Sequence, residues 1–146
     1  MRATATFTVS DWTPLDLPET VGGTVVPATA APTGVAAMVK TFVGELAGRS
    51  VTWFVGGLNP GTGSGTYAAA EAFEGSVGDR TGTFGFVHAA STHGTDRFDE
   101  HFVVVPDSGT GELSGISGRG SLTIDEDGTH RVKLEYALPS ATEGVS

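Results

Sequence analysis

The sequence predicts an all-β protein, a single closed antiparallel barrel of about eight strands in an up-and-down meander. Three observations carry this prediction. Apolar and polar residues alternate with period two in several stretches, as in Thr4-Ala5-Thr6-Phe7-Thr8-Val9 and Val132-Lys133-Leu134-Glu135-Tyr136. Turn-forming residues punctuate these stretches, and the chain holds 22 glycines, which supply the positive φ of tight turns at no steric cost. No stretch demands a helix. A meander of this length is expected to close, because closure removes exposed sheet edges.

The elements follow in order. Residues 3–11 alternate, with Ala5, Phe7 and Val9 opposite Thr4, Thr6 and Thr8, and form a half-buried first strand. Residues 12–32 carry Pro14, Pro18, Pro27 and Pro32 and are expected to form a long loop across one barrel mouth, with a short extended piece at Thr24–Val26. Residues 34–46 could be helix by their Ala, Met, Lys and Leu content; Val35, Val39, Val43 and Thr41 favour a second strand. Gly48-Arg49 is expected to turn the chain into a third strand, Ser50–Leu58. Residues 59–65 form a glycine-rich loop. It lacks the Lys-Ser/Thr and the following helix that a phosphate-binding loop requires.

Residues 65–93 predict two long strands joined at Gly78-Asp79. On the first, Tyr67, Ala69, Glu71 and Phe73 share a face; on the second, Phe84, Phe86, His88 and Ala90 do. Residues 95–105 form the next strand, with Phe98, Glu100, Phe102 and Val104 on one face. Residues 113–125 follow, coiled at Gly115, Gly118 and Gly120, then a turn at Asp125–Gly128. The last strand, residues 130–138, points Val132, Leu134, Tyr136 and Leu138 inward and ends at Pro139. One domain over residues 1–140 is expected, followed by a mobile tail over 141–146.

Composition excludes several functions. The net charge of −9 leaves no basic stripe to neutralise phosphates, so no nucleic-acid partner is expected. No apolar run is long enough to span a bilayer, and residues 1–12 lack a signal-peptide core. The absence of cysteine excludes disulfides and fits the cytoplasm.

The candidate site follows from the central hairpin. If its aromatic faces point inward, Glu71 and His88 point inward too. Buried ionisable groups need partners or shift their pKa values. These two are the expected catalytic acid/base pair, on adjacent strands as opposite or diagonal neighbours. The alternative is a structural role, with Glu71 paired to Arg80, Arg97 or Arg119, or tied to Tyr67. Trp53, Tyr67, Phe86, Phe98 and Glu100 are the expected pocket residues. His88, His93, Asp96, Asp99, Glu100 and His101 cluster in sequence, yet they offer no three convergent ligands on one strand face, so no metal is expected. No cofactor is expected either.

Two motifs carry a family resemblance. Tyr67-x-x-x-Glu71 runs into Gly75, Asp79-Arg80, Gly82, Phe84 and His88; Val105-Pro106-x-Ser108-Gly109-Thr110-Gly111-Glu112-Leu113 follows. With the opening Ala5–Trp12 segment, these motifs resemble a bacterial family of small proteins, a domain of unknown function with the allene-oxide-cyclase-like β-barrel. The chain departs from that pattern in the proline-rich 12–32 region and in residues 92–101. The resemblance implies the barrel and no reaction.

Two functions of different kinds are therefore expected. One is a small-molecule-binding barrel, acting on an apolar molecule as a cofactor-independent isomerase or cyclase through Glu71 and His88. The other is a non-catalytic ligand-binding or structural barrel. Apolar residues on both faces of strands 34–46 and 95–105 predict a homo-oligomer.

Overall fold

The computed structural model describes residues 1–139; the tail expected over 141–146 lies outside the described residues. Ten strands form: β1 (Arg2–Leu15), β2 (Thr20–Val21), β3 (Thr24–Val25), β4 (Thr33–Gly44), β5 (Leu46–Leu58), β6 (Gly65–Val77), β7 (Arg80–Thr92), β8 (Phe98–Val104), β9 (Ser117–Ile124) and β10 (His130–Ala137). Eight of them close an antiparallel barrel in the order β1-β10-β9-β8-β7-β6-β5-β4. β2 and β3 form a separate small hairpin. The predicted class and meander hold. The helical alternative for 34–46 fails, because Met38, Lys40 and Phe42 bury on one strand face. Among the described residues, no helix is long and apolar enough to cross a membrane.

Three boundaries differ from expectation, each for a local reason. β1 runs on to Leu15 past a bulge, where Asp11 adopts φ 58° and the register to β4 shifts between Ser10 and Thr13. Pro14 is tolerated there because residues beyond Phe7 pair with β4 alone, so Pro14 leaves no ladder bond unmade on its other side. The chain reverses at Gly44-Glu45 and not at Gly48-Arg49, which lie inside β5. The 113–125 strand starts at Ser117, after a one-turn 3-10 helix, Gly111–Leu113.

The central hairpin forms as predicted. Val77 pairs with Arg80 around the two-residue turn, with Gly78 at φ 61°. The interior is layered along the barrel axis. At the β6–β7 turn end, Phe7, Phe42, Phe73, Phe84, Phe86, Leu113, Ile116 and Leu134 pack into a continuous apolar core. At the other end, around Gly65 and Thr92, the side chains thin out and the interior opens. The polar residues lie between these two regions.

Candidate functional site

Register sets which polar side chains meet. Lys40 on β4 lies opposite Ser50 on β5, Thr52 lies opposite Glu71 on β6, and His88 on β7 lies opposite Ala69, one step from Glu71 along the inner face. Five polar or charged residues are therefore buried at one level: Lys40, Ser50, Thr52, Glu71 and His88. Glu71 is the hub. Its Oε2 accepts from Lys40 Nζ at 2.6 Å and from His88 Nε2 at 2.6 Å, and its Oε1 accepts from Ser50 Oγ at 2.6 Å. Burial alone would raise the Glu71 pKa. The hydrogen bond from His88, the charge of Lys40 and the bonds from Lys40 and Ser50 outweigh it and hold the carboxyl at about 2. Lys40 also sits over the Phe7 ring, 4.9 Å from its centroid. Thr52 Oγ1 is the one buried side-chain oxygen or nitrogen among the described residues that lacks a hydrogen-bond partner.

The network continues towards the open end. His88 packs against the stacked pair Phe86 and Phe102, with ring centroids 6.1 and 5.8 Å away. Its Nδ1 lies 2.9 Å from Tyr67 Oη, which in turn lies 3.0 Å from Arg97 Nη2. Arg97 Nε donates to Glu100 at 2.9 Å. The direction of each bond follows from chemistry. The ionised Glu71 can only accept, so the hydrogen of the neutral imidazole sits on Nε2 and Nδ1 is an acceptor. Tyr67 therefore donates to His88 Nδ1, and its oxygen accepts from Arg97, which can only donate. Burial opposes the Arg97 charge, yet the Tyr67 and Glu100 contacts leave its pKa raised.

Beyond Tyr67 lies a cavity of about 850 Å³, open at the barrel mouth. Trp12, Phe54, Tyr67, Leu122 and Ile124 form much of its apolar wall, and Asp96, Arg97 and Glu100 supply its charge. Phe54 stacks on Tyr67 at 5.2 Å and meets Trp12 at 5.7 Å. The volume lies within the range of small-molecule pockets, about 300–1,000 Å³.

The predicted residues divide accordingly. Glu71 and His88 meet, as diagonal neighbours. Neither lines the large cavity; Tyr67 stands between them and it, so the group facing the cavity is the phenol. Tyr67 and Glu100 line the cavity. Phe86 is 1% exposed and belongs to the core beneath His88. Trp53 is a correction: it is 53% exposed on the outer face, because Thr52 and Phe54 take the inner positions of β5. Phe98 is another: two residues, Asp99 and Glu100, oppose Ala90 at a bulge where Asp99 has φ 51°, so Phe98 pairs with Ser91 and stacks on His93 outside the cavity.

Alternation alone does not single out Lys40, Ser50 or Phe54, and the cation of Glu71 is Lys40, not Arg80, Arg97 or Arg119. A signal for Lys40 existed in its spacing. It shares a period-two face with Met38 and Phe42, and an inward Glu71 requires a cation. His93 bonds Asp96 at 2.9 Å on the surface, and the His93 bonds hold Asp96 at about 2. Among the described residues, no three His, Cys, Asp or Glu side chains converge as a metal site would require.

The comparisons agree with this architecture. Residues 3–136 match the family model described as a protein of unknown function, DUF3224. No curated protein matches the chain. Among solved structures, the crystal structure of a DUF3224 family protein of unknown function from Shewanella oneidensis MR-1 is similar, at 30% identity and a TM-score of 0.77, over 96% of this chain and 98% of that one. This chain belongs to the DUF3224 family.

Proposed function

We propose that this protein binds a small, mainly apolar molecule in the mouth of its barrel, with a carbonyl or similar oxygen of that molecule accepting from Arg97 beside the Tyr67 hydroxyl. The cavity carries this reading. A fully packed structural barrel has no use for about 850 Å³ of apolar-walled space with a phenol, a guanidinium and two carboxylates, Asp96 and Glu100, at its polar end. The cysteine-free chain fits the cytoplasm as its compartment. The closed barrel with an open mouth supports the likeness to allene-oxide-cyclase barrels, an analogy of fold that licenses no chemistry by itself.

A specific observation favours a catalytic version, a cofactor-independent isomerase or cyclase working by proton transfer. Tyr67 Oη receives a hydrogen bond from Arg97 and gives its own to His88, so phenolate character at the cavity surface is stabilised from one side and its proton has an acceptor on the other. Glu71, held at about 2, does not take that proton. It orients the imidazole, as a buried carboxylate does behind a histidine base. In this reading Tyr67 is the catalytic residue, and His88 and Glu71 position it.

Titration with the neutral apolar fluorophore N-phenyl-1-naphthylamine tests the binding, alongside native mass spectrometry of freshly purified protein for a copurifying molecule. One saturable site is expected in the wild type, lost in a folded Leu122→Trp variant that fills the cavity. No binding to the wild type, or equal binding to Leu122→Trp, would refute the cavity as the site.

A further inference from the structure

The outer face of β4 to β7 carries a second pattern. Residues opposite one another across these strands form rows on the barrel surface. One row is Val35, Val55, Ala68 and Ala89; the next is Ala37, Trp53, Ala70 and Val87; the third is Val39, Val51, Ala72 and Gly85. These three rows contain no charged or polar side chain, in a chain of net charge −9. Val51, Trp53 and Val55 stand 41%, 53% and 43% exposed. They form a ridge of large side chains along β5, and Ala68, Ala70 and Ala72 form a shallow groove beside it along β6. The fourth row is polar. It holds Thr41, Arg49, Glu74 and Thr83. Arg49 and Glu74 are exposed, and neither forms an ion pair among the described residues.

The face is complementary to itself under one symmetry operation. A two-fold axis parallel to the strands, lying in the contact plane midway between β5 and β6, places β5 of one copy over β6 of the other at the same level. Trp53 then covers the partner's Ala70, Val51 covers the partner's Ala72, and Val55 covers the partner's Ala68. Arg49 covers the partner's Glu74, twice by symmetry. β4 and β7 curve away on the closed barrel, and Val105 and Ser108 already cover Gly85, so the contact is confined to β5 and β6. Two strands about 4.8 Å apart and four rows about 6.7 Å apart give a footprint of about 260 Å². That is about a third of the 800 Å² a standard interface buries per partner, the size of a weak contact, with the polar Arg49–Glu74 row as its rim.

We propose that a second copy of this chain docks on the β5–β6 face about this axis, with Trp53 over the partner's Ala70 at the centre and reciprocal Arg49–Glu74 pairs at the rim. Because the axis is parallel to the strands, both cavity mouths lie at the same end of the dimer and stay open. The footprint predicts a concentration-dependent dimer.

Sedimentation of the full chain over a wide concentration range tests this. The expected mass rises from 14.9 kDa towards twice that value. Trp53→Glu should leave a folded monomer at all concentrations. Arg49→Glu and Glu74→Arg should each weaken association by about ten-fold or more, by placing two like-charge pairs across the interface. The double exchange, Arg49→Glu with Glu74→Arg, should restore association to within a few-fold of wild type. Thermal melts at monomeric concentration separate these effects from loss of fold. A wild-type chain monomeric at high concentration overturns the proposal. So does a dimer or higher oligomer indifferent to Trp53→Glu, or a double exchange no better than the single changes.

Discussion

Replacing Glu71 with Gln removes the one negative charge from the buried network and leaves Lys40 stranded. The Lys40 side chain is 7% exposed and that of Glu71 is 0% exposed, so neither solvent nor another carboxylate can take over. Breaking a buried ion pair from one side costs about 3–5 kcal/mol. Proton linkage gives a separate figure. The Glu71 carboxyl falls from 4.5 to about 2 on folding, and that difference of about 2.5 units at 1.36 kcal/mol each is worth about 3 kcal/mol at neutral pH. The two routes agree, so Glu71→Gln should cost about 3 kcal/mol. Urea unfolding at pH 7 measures it as a lowered midpoint with an unchanged slope. Exchanging Lys40 as well, in Glu71→Gln with Lys40→Met, should recover most of the loss, because the stranded charge is gone. A loss under about 1 kcal/mol, or a double variant no more stable than the single, would refute the account of Glu71 as a charge partner.

Four further outcomes are expected. The Glu71 contribution has a defined pH window: its folded pKa is depressed, so the contribution is complete above about pH 5 and fades as pH falls towards about 2, a slope that Glu71→Gln should lack in pH-dependent unfolding. Tyr67→Phe keeps the stack on Phe54 but leaves His88 Nδ1 without its donor and Arg97 Nη2 without its acceptor; it should cost about 1–3 kcal/mol and, by releasing Arg97, weaken carbonyl-bearing ligands more than N-phenyl-1-naphthylamine, both read by titration and melts. Gly48→Ala should destabilise by about 2 kcal/mol or more in urea unfolding, since Gly48 sits at φ +149° and a Cβ there would run into the Glu74 carbonyl oxygen and approach Gly75 Cα to 2.8 Å. Thr52→Val should be neutral or stabilising by up to about 1 kcal/mol in the same assay, because the hydroxyl it removes is buried without a partner.

The parts of this structure legible in the sequence are those set by local rules. The β6–β7 hairpin needed only period-two alternation and a Gly-Asp turn, and both inner faces came out as the alternation required. The errors arose where a long-range pairing chose between equivalent local readings. Trp53 and Phe54 are adjacent aromatics, and alternation alone cannot say which one faces in. The pairing of Thr52 with Glu71 decides it, and Phe54 becomes the cavity wall. Phe98 lay in phase with Phe102 on paper, but the extra residue at Asp99–Glu100 reverses the face before that phase reaches Phe98. Lys40 was hidden by the usual expectation that lysine faces water. Its burial depends on a carboxylate 31 positions away in sequence, a pairing that only the closed sheet creates.

The buried pair makes most sense as a positioning device. Apolar residues of similar volume in place of Lys40 and Glu71 would leave such a barrel as stable or more so, since the attraction within a buried pair does little more than offset its desolvation. What an apolar replacement could not do is set the direction of the hydrogen bonds. Two Glu71 oxygens take donors from Lys40, Ser50 and His88, and the His88 bond places the imidazole hydrogen on Nε2. That leaves Nδ1 as an acceptor for Tyr67, and Arg97 closes the other side of the phenol oxygen. The donors run one way, from Arg97 at the mouth to Glu71 in the interior. The only member that lines the large cavity and both gives and takes a hydrogen bond is Tyr67. The ion pair, sealed from water behind it, therefore acts on the cavity through the orientation of that one hydroxyl.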